Sequence, residues 1–487
     1  MSLAAARRRS VLERTDSPAL APSAAWVLVA GLTLIAFALR VSQIDQSLLG
    51  DEVFTYQDIY RHSFATVLTT VQTGGENSPP LYFVLAWLTA HLGDPTVWIR
   101  LPSMVLGAAT VPVVFALGCE TIGTIGALIG AAIFAITPFT VYYGTEARPY
   151  ATMTFFVAVS TLALLRAAKG HSRWWWLVYV VATVAAAYSH YTCIFVLVAQ
   201  ACWSLWACRD RIREPLAANL IAAVLYLPWL PHLRGKALAV IGALYPLGVH
   251  RVLTDLLRPI PGHPSAPLSA IPTIPGLVAV AVCALLGMAF MARKVRAPRA
   301  RLPPHLPLLI ALTLASPVGL LLYSILDTDL WLPRGLSASI PSATLVLGAF
   351  LAAPPRRIVL ATVTIVLAVM AAGTIRSFDP TYARPPFRAM ASYLDDSAGP
   401  HDPVLIMSLV GQPAITAEWH KPHLLVNALG PMWADVPPHG TAYLVLDDAI
   451  ARDKHLGTPQ HRGFALVTRR HYIGGGFPTA ILTYRRR

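Results

Sequence analysis

Eleven apolar runs set the terms for this chain. They fall near residues 24–41, 101–118, 123–139, 150–166, 174–190, 192–208, 216–231, 272–292, 306–326, 335–353 and 358–374. As a helix, each approaches or exceeds the length needed to cross a hydrocarbon layer of about 30 Å. Inside lipid a backbone has no water to bond, so a segment of this kind must close its own hydrogen bonds as a helix. Of the 487 residues, 55% are hydrophobic and 13% are charged, more apolar than a water-soluble core can use. A mainly α, polytopic membrane protein with eleven transmembrane helices is expected.

The charges give the expected orientation. Arg7, Arg8 and Arg9 precede the first run and no small-residue cleavage site follows it, so residues 1–23 read as a cytoplasmic basic N-terminus before an uncleaved anchor. Lys and Arg gather on the cytoplasmic side of membrane proteins. Here they cluster at Arg166, Lys169 and Arg173, at Arg209, Arg211 and Arg213, at Arg293 to Arg301, and at Arg356 and Arg357. Alternate loops then face outward, carrying Asp51, Glu146, His190, the Asp327 to Arg334 turn and everything beyond Arg376. The net charge of +14 is thus a topology signal. Nucleic-acid binding, which needs a basic face on a soluble module, is excluded. One further run, 79–92, is too short for a span, and counting it as one would invert every later loop. Its length and its Pro79-Pro80 start suit a helix at the membrane edge. Residues 42–100 are therefore expected as one long external loop with two or three juxtamembrane helices.

Beyond residue 375 the pattern changes to strand-length runs and turn residues. Pro403–Leu409, Leu424–Ala428, Ala442–Leu446, Phe464–Val467 and Ala480–Tyr484 read as strands, Phe387–Leu394 as a helix, and Gly474-Gly475-Gly476 as a hairpin turn. Residues 24–375 would form the membrane domain and 376–487 a small extracytoplasmic α/β domain, acting as a cap or helping to bind an acceptor. The five cysteines have no zinc or redox spacing.

Acids at the edge of such a protein need a reason. Asp51 and Glu52 follow the first run, and Glu146 sits between two apolar runs, where a charge is costly unless solvated or paired. These acids belong to an ordered set: Asp51-Glu52, Ser78-Pro79-Pro80-Leu81-Tyr82, Arg100-Leu101-Pro102-Ser103, Glu146-Ala147-Arg148-Pro149-Tyr150 and Tyr188-Ser189-His190-Tyr191. The set resembles the multispanning GT-C glycosyltransferases, in particular the bacterial dolichyl-phosphate-mannose-protein mannosyltransferase-like branch that includes lipid A aminoarabinose transferases. The resemblance covers roughly residues 25 to 210 and is looser at Leu332-Pro333-Arg334 and Arg384 to Leu394. Two departures, Asn77-Ser78 before the prolines and Leu49-Gly50 before the acids, leave acceptor choice open.

The resemblance implies transfer of a sugar from a polyprenyl-phosphate carrier to an acceptor on the outer face of the cytoplasmic membrane. The acceptor would be a cell-envelope glycan or glycolipid, with protein O-mannosyltransferase-like use of a protein acceptor as the alternative. Such a donor already carries its leaving group, so the chemistry needs a base for the acceptor hydroxyl and countercharge for the departing phosphate. Asp51 is the expected general base with inversion at the sugar, and Glu52 orients the loop or contacts the acceptor. Glu146 is expected to pair with Arg148 and orient the substrates. Arg148, Arg334, Arg100 and His190 are the candidates for the donor phosphate, guanidinium matching phosphate bidentately. Tyr82 and Tyr150 are the candidate substrate-contacting aromatics. Plainer readings stand beside these: a solvated loop acid, a structural ion pair, a snorkelling arginine and a histidine satisfied at a helix end. Asp327-Thr328-Asp329 has the form of a nucleotide-sugar motif but is expected outside, where nucleotide sugars are not. A carrier with one phosphate needs little metal assistance, so no cofactor or metal is expected. The rival function is a lipid-linked sugar transporter or flippase, and against it stand the lack of repeated halves and the placing of acids at the outer edge.

Overall fold

The computed structural model describes residues 21–487 apart from 74–77, 171, 233–245, 258–272, 297–302, 304, 409–410, 428, 435, 448–462 and 475–478. Arg7 to Arg9, Asn77, Arg299, Arg301, most of the His232 to Ala270 stretch and two of the three glycines at 474–476 lie outside the described residues.

The first long helix is α1 (Pro22–Val41). It is followed by a segment of short helices, α2 (Asp51–Ile59), α3 (Phe64–Thr73), α4 (Leu81–Ala90) and α5 (Pro95–Trp98). That makes four short helices where two or three were expected. The run at 79–92 forms a helix of only 10 residues, short of the roughly 20 needed to span. The membrane bundle continues with α6 (Leu101–Thr121), α7 (Thr124–Ile136), α8 (Pro138–Tyr143), α9 (Tyr150–Ala168), α10 (Trp174–Ala187), α11 (Ile194–Ala207) and α12 (Arg213–Tyr226). After α13 (Val249–Leu257) come α14 (Thr273–Arg296), α15 (Leu306–Leu326), a 3-10 turn at Pro333–Ser339, α16 (Ile340–Leu351) and α17 (Arg356–Ser377). Every one of the eleven apolar runs coincides with a helix. Among the described residues, seven helical segments are long and apolar enough to cross a membrane, whereas α7, α10, α11 and α12 have 13 or 14 residues.

Proline sits in the first turn of α1, α5, α6, α8, α15 and α16, where its missing N–H costs nothing. Small residues bring the helices close. A Cβ on Gly348 of α16 would meet the Gly126 carbonyl oxygen of α7 at 2.4 Å, so backbone packs on backbone there as in other membrane bundles.

The C-terminal part comprises α18 (Phe387–Ser397), β1 (Pro403–Met407), α19 (Gly411–Ala417), β2 (Leu424–Val426), α20 (Leu429–Ala434), β3 (Thr441–Asp447), β4 (Phe464–Tyr472) and β5 (Thr479–Arg486). The sheet order is β2-β1-β3-β5-β4, with β1 parallel to β2 and β3 and the β3–β5 and β5–β4 pairs antiparallel. Helices α19 and α20 were not legible as separate elements. Parallel neighbours need crossover connections, and these short helices supply them. This sheet does not stand apart. Leu48, Val53, Tyr82, Phe83 and Ile99 of the α1–α6 segment share one buried cluster with Phe387, Met390, Val404 and Ile481.

Candidate active site

Asp51 and Glu52 open α2. Their N-cap, Gly50, has φ +53, a backbone region that favours glycine, and the carboxylates lie in the first turn, where the helix dipole favours them. Consecutive helical residues point about 100° apart, and this pair divides accordingly.

Glu52 turns inward and is fully buried. Its Oε1 accepts from Arg100 Nε at 3.0 Å and from the Ala147 N–H at 2.6 Å. Its Oε2 accepts from Arg100 Nη2 at 2.9 Å, from the Leu49 N–H at 3.3 Å and from Arg384. Burial alone would raise this carboxyl, but Arg100 and Arg384 outweigh it and bring the pKa down to about 2. Arg100, also fully buried, gives its remaining N–H groups to the carbonyls of Ile44 (2.7 Å), Gln46 (2.5 Å) and Ser47 (3.0 Å). The geometry corrects one expectation, since Arg100 is spent on the acid loop instead of facing a phosphate, and of the two roles open to Glu52 it favours orienting that loop. Tyr82 is a second, since it is fully buried and donates its hydroxyl to the Ile99 carbonyl at 2.7 Å.

Asp51 turns the other way and keeps 29% of its side chain exposed, paired through Oδ2 with Arg334 Nη1 at 2.5 Å. Arg334, from the 3-10 turn before α16, is itself 28% exposed. Arg148 approaches the same helix start, its Nη1 reaching the Asp51 carbonyl at 3.4 Å and Thr55 Oγ1 at 3.3 Å, and its Nη2 reaching Ser78 Oγ at 3.4 Å. Burial pushes the Asp51 carboxyl up, but Arg334 and Arg148 prevail and hold it below the usual aspartate value. Asp51 is therefore an ionised carboxylate between two guanidinium groups and still in reach of solvent.

Glu146 completes the charged cluster. It is 7% exposed, and its Oε2 has no hydrogen-bond partner among the described residues. Burial raises its pKa to about 7, with Arg384 pulling against burial and Glu52 and Asp51 adding to it. Arg384 is the foremost positive influence on it. The Tyr150 ring lies 5.1 Å from the His190 ring, 5.2 Å from the Tyr143 ring and 5.9 Å from the Arg334 guanidinium carbon. His190 Nδ1 is hydrogen bonded to Thr192 Oγ1 at 2.9 Å. Burial, Arg148 and Arg334 lower the pKa of His190 to about 3, so it offers a phosphate a neutral N–H and no charge.

Six of the nine expected residues, Asp51, Glu146, Arg148, Tyr150, His190 and Arg334, are thus brought together, and Glu52, Arg100 and Tyr82 form the layer behind them. Asp329 of the Asp327-Thr328-Asp329 sequence is engaged with Arg251 Nη1 at 3.2 Å and with the Trp331 N–H at 3.0 Å. Among the described residues no group of three or more His, Cys, Asp or Glu is arranged to hold a metal. Two residues were not named as site residues from the sequence. Tyr143 stacks edge-on against Tyr150, and Arg384 lies in the linker before α18. Nothing local distinguishes Arg384 from a snorkelling arginine after the last span. Its buried position reflects the docking of the terminal sheet.

Residues 77–233 match the family model described as dolichyl-phosphate-mannose-protein mannosyltransferase. The structure as a whole is similar to the apo crystal structure of ArnT from Cupriavidus metallidurans, at 14% identity and a TM-score of 0.59, covering 95% of this chain and 98% of that one. It is also similar to the same protein bound to undecaprenyl phosphate, at 13% identity, the same coverage and a TM-score of 0.52. The apo oligosaccharyltransferase of Archaeoglobus fulgidus matches at 12% identity and a TM-score of 0.50, over 88% of this chain and 70% of that one. No curated protein sequence matches the chain. The fold is that of the GT-C class of polytopic membrane glycosyltransferases.

Proposed function

We propose that this protein transfers a sugar from a polyprenyl-phosphate carrier to a glycan or glycolipid of the cell envelope, at the outer face of the cytoplasmic membrane. The observation that carries the proposal is the division of the acid pair, with Glu52 sealed behind the loop and Asp51 partly open against Arg334. The ArnT structure holding undecaprenyl phosphate supports a lipid phosphate as the donor handle. The arginine-rich loops support a cytoplasmic N-terminus and an outward site.

In the proposed reaction the acceptor hydroxyl oxygen attacks the anomeric carbon, and Asp51 takes its proton. The bond from that carbon to the phosphate oxygen breaks, and the electron pair leaves with the polyprenyl phosphate. Arg334 and Arg148 offset the charge on the departing phosphate, and direct displacement inverts the sugar. Tyr150 and neutral His190 line the donor side, and Glu146 orients the substrates. General-base catalysis of this kind contributes on the order of 10² to 10⁴ in rate.

The test is transfer of radiolabelled sugar from a panel of polyprenyl-phosphate donors to an envelope extract, with purified wild-type protein and Asp51→Asn. Transfer from one donor, reduced at least about a hundredfold in the variant, supports the reading and identifies the sugar. Label recovered in protein would change the acceptor. Carrier binding without transfer from any donor would favour a lipid-linked sugar transporter.

A further inference from the structure

Glu52 has two arginine partners of different origin. Arg100 belongs to the same α1–α6 segment, so that segment can neutralise Glu52 by itself. Arg384 comes from the linker between the last membrane helix and the terminal sheet, 332 residues further along the chain. It is only 5% exposed at its side chain, and its guanidinium carbon also lies 5.7 Å from the centre of the Tyr142 ring. Four residues on, Arg388 in the first turn of α18 makes a separate contact, its backbone N–H donating to Ser47 Oγ at 2.9 Å, its Nη2 to Thr96 Oγ1 at 2.7 Å and its Nε to Glu418 Oε2 at 2.9 Å. Two contacts of different kinds thus tie the terminal part to the acid loop, and only one of them touches the acids.

We propose that Arg384 is a positioning residue: reaching Glu52 from the linker, it makes the working geometry of Asp51 depend on the terminal domain being docked. Asp51 and Glu52 are the first two residues of α2, so fixing the second fixes the direction of the first. A buried carboxylate that loses one of its partners is expensive to keep charged, and the helix start would move to find water. Arg384 is also the foremost positive influence on Glu146, so one side chain serves both buried acids. The groups that act on the Asp51 carboxyl are Arg334, Arg148 and His190, so Arg384 acts on the reaction through Glu52 and Glu146.

The proposal rests on the glycosyltransferase reading, and its test separates the two. The groups acting on Glu52 are Arg100 and the Ala147 and Leu49 N–H groups in direct contact, Arg384 from the linker, Asp51 beside it, Glu146 from the α8–α9 loop and Tyr82 from α4. Removing Arg384 takes a positive charge from both Glu52 and Glu146, so both carboxyls protonate at higher pH; the Glu52 shift is read on the acid limb and the Glu146 shift as a decline that begins at higher pH. In Arg384→Gln, kcat should fall while the donor KM stays within about twofold. The acid limb of the pH–rate profile should move up by about one to three units. Arg384→Lys, which keeps the charge, should move it less and in the same direction. Arg388→Ala, which removes the side-chain contacts to Thr96 and Glu418 and keeps the backbone N–H to Ser47, should lower the thermal midpoint and leave the profile where it is.

An Arg384→Gln profile superimposable on wild type would overturn the proposal, as would an Arg388→Ala profile displaced equally far. If Arg384→Gln does not fold, Arg384→Lys decides, and an unmoved limb there overturns the proposal too. Absence of transfer by the wild-type protein would instead refute the enzymatic reading.

Discussion

Replacing Arg334 by Ala tests the phosphate side of the site, and its effect can be sized from the geometry. Arg334 holds Asp51 at 2.5 Å, with both side chains between a quarter and a third exposed. It is therefore within reach of an incoming phosphate. A hydrogen bond to a charged group is worth about 1.5–3 kcal/mol, and water already shares this one, so the lower half of that range applies. At 1.36 kcal/mol per tenfold, the donor KM should rise about thirteen- to forty-fivefold. Arg334→Lys keeps the charge and loses the planar fork, so it should fall between the two. A second effect has a definite sign. Arg334 is the foremost group lowering the Asp51 pKa, so without it Asp51 takes up its proton at higher pH and the acid limb of kcat rises. The assay is initial rate against polyprenyl-phosphate-sugar concentration in mixed micelles, at equal folded protein and across pH 4 to 8. A donor KM changed less than twofold in Arg334→Ala, with the acid limb unmoved, would refute the phosphate assignment.

Two other perturbations address the buried acids. Glu52→Gln leaves Arg100 and Arg384 buried without their carboxylate. Breaking such a cluster from one side costs about 3–5 kcal/mol, so the thermal midpoint in detergent should fall well below that of Asp51→Asn, and equal midpoints would contradict the brace. Glu146 changes charge near neutrality, with a pKa of about 7. As pH rises through that value it adds a negative charge beside Asp51 and Glu52, which opposes an incoming phosphate. Transfer should therefore decline above pH 7 in wild type and stay level in Glu146→Gln. A decline that persists in Glu146→Gln would place the titration elsewhere.

Much of this protein was already fixed by local sequence. The eleven apolar runs all became helices because lipid offers an unpaired backbone no alternative. The five strands appeared at or near their expected positions because alternation and turn residues act over a few positions. The ordered motifs brought Asp51, Arg148, Tyr150 and the rest into view as types suited to phosphate and hydroxyl chemistry. What each acid would do was a different matter. Asp51 and Glu52 are neighbours of like chemistry, and no local pattern says which one faces water. That was decided when Arg100 and Arg384, at sequence separations of 48 and 332, converged on Glu52 and left Asp51 to Arg334. The same convergence turned Arg100 from a presumed phosphate ligand into a brace and buried Arg384, which the sequence marked only as the start of a looser stretch of resemblance. Helices and strands answer to short-range backbone bonding, whereas the charge state and direction of a side chain answer to whatever long-range packing brings beside it.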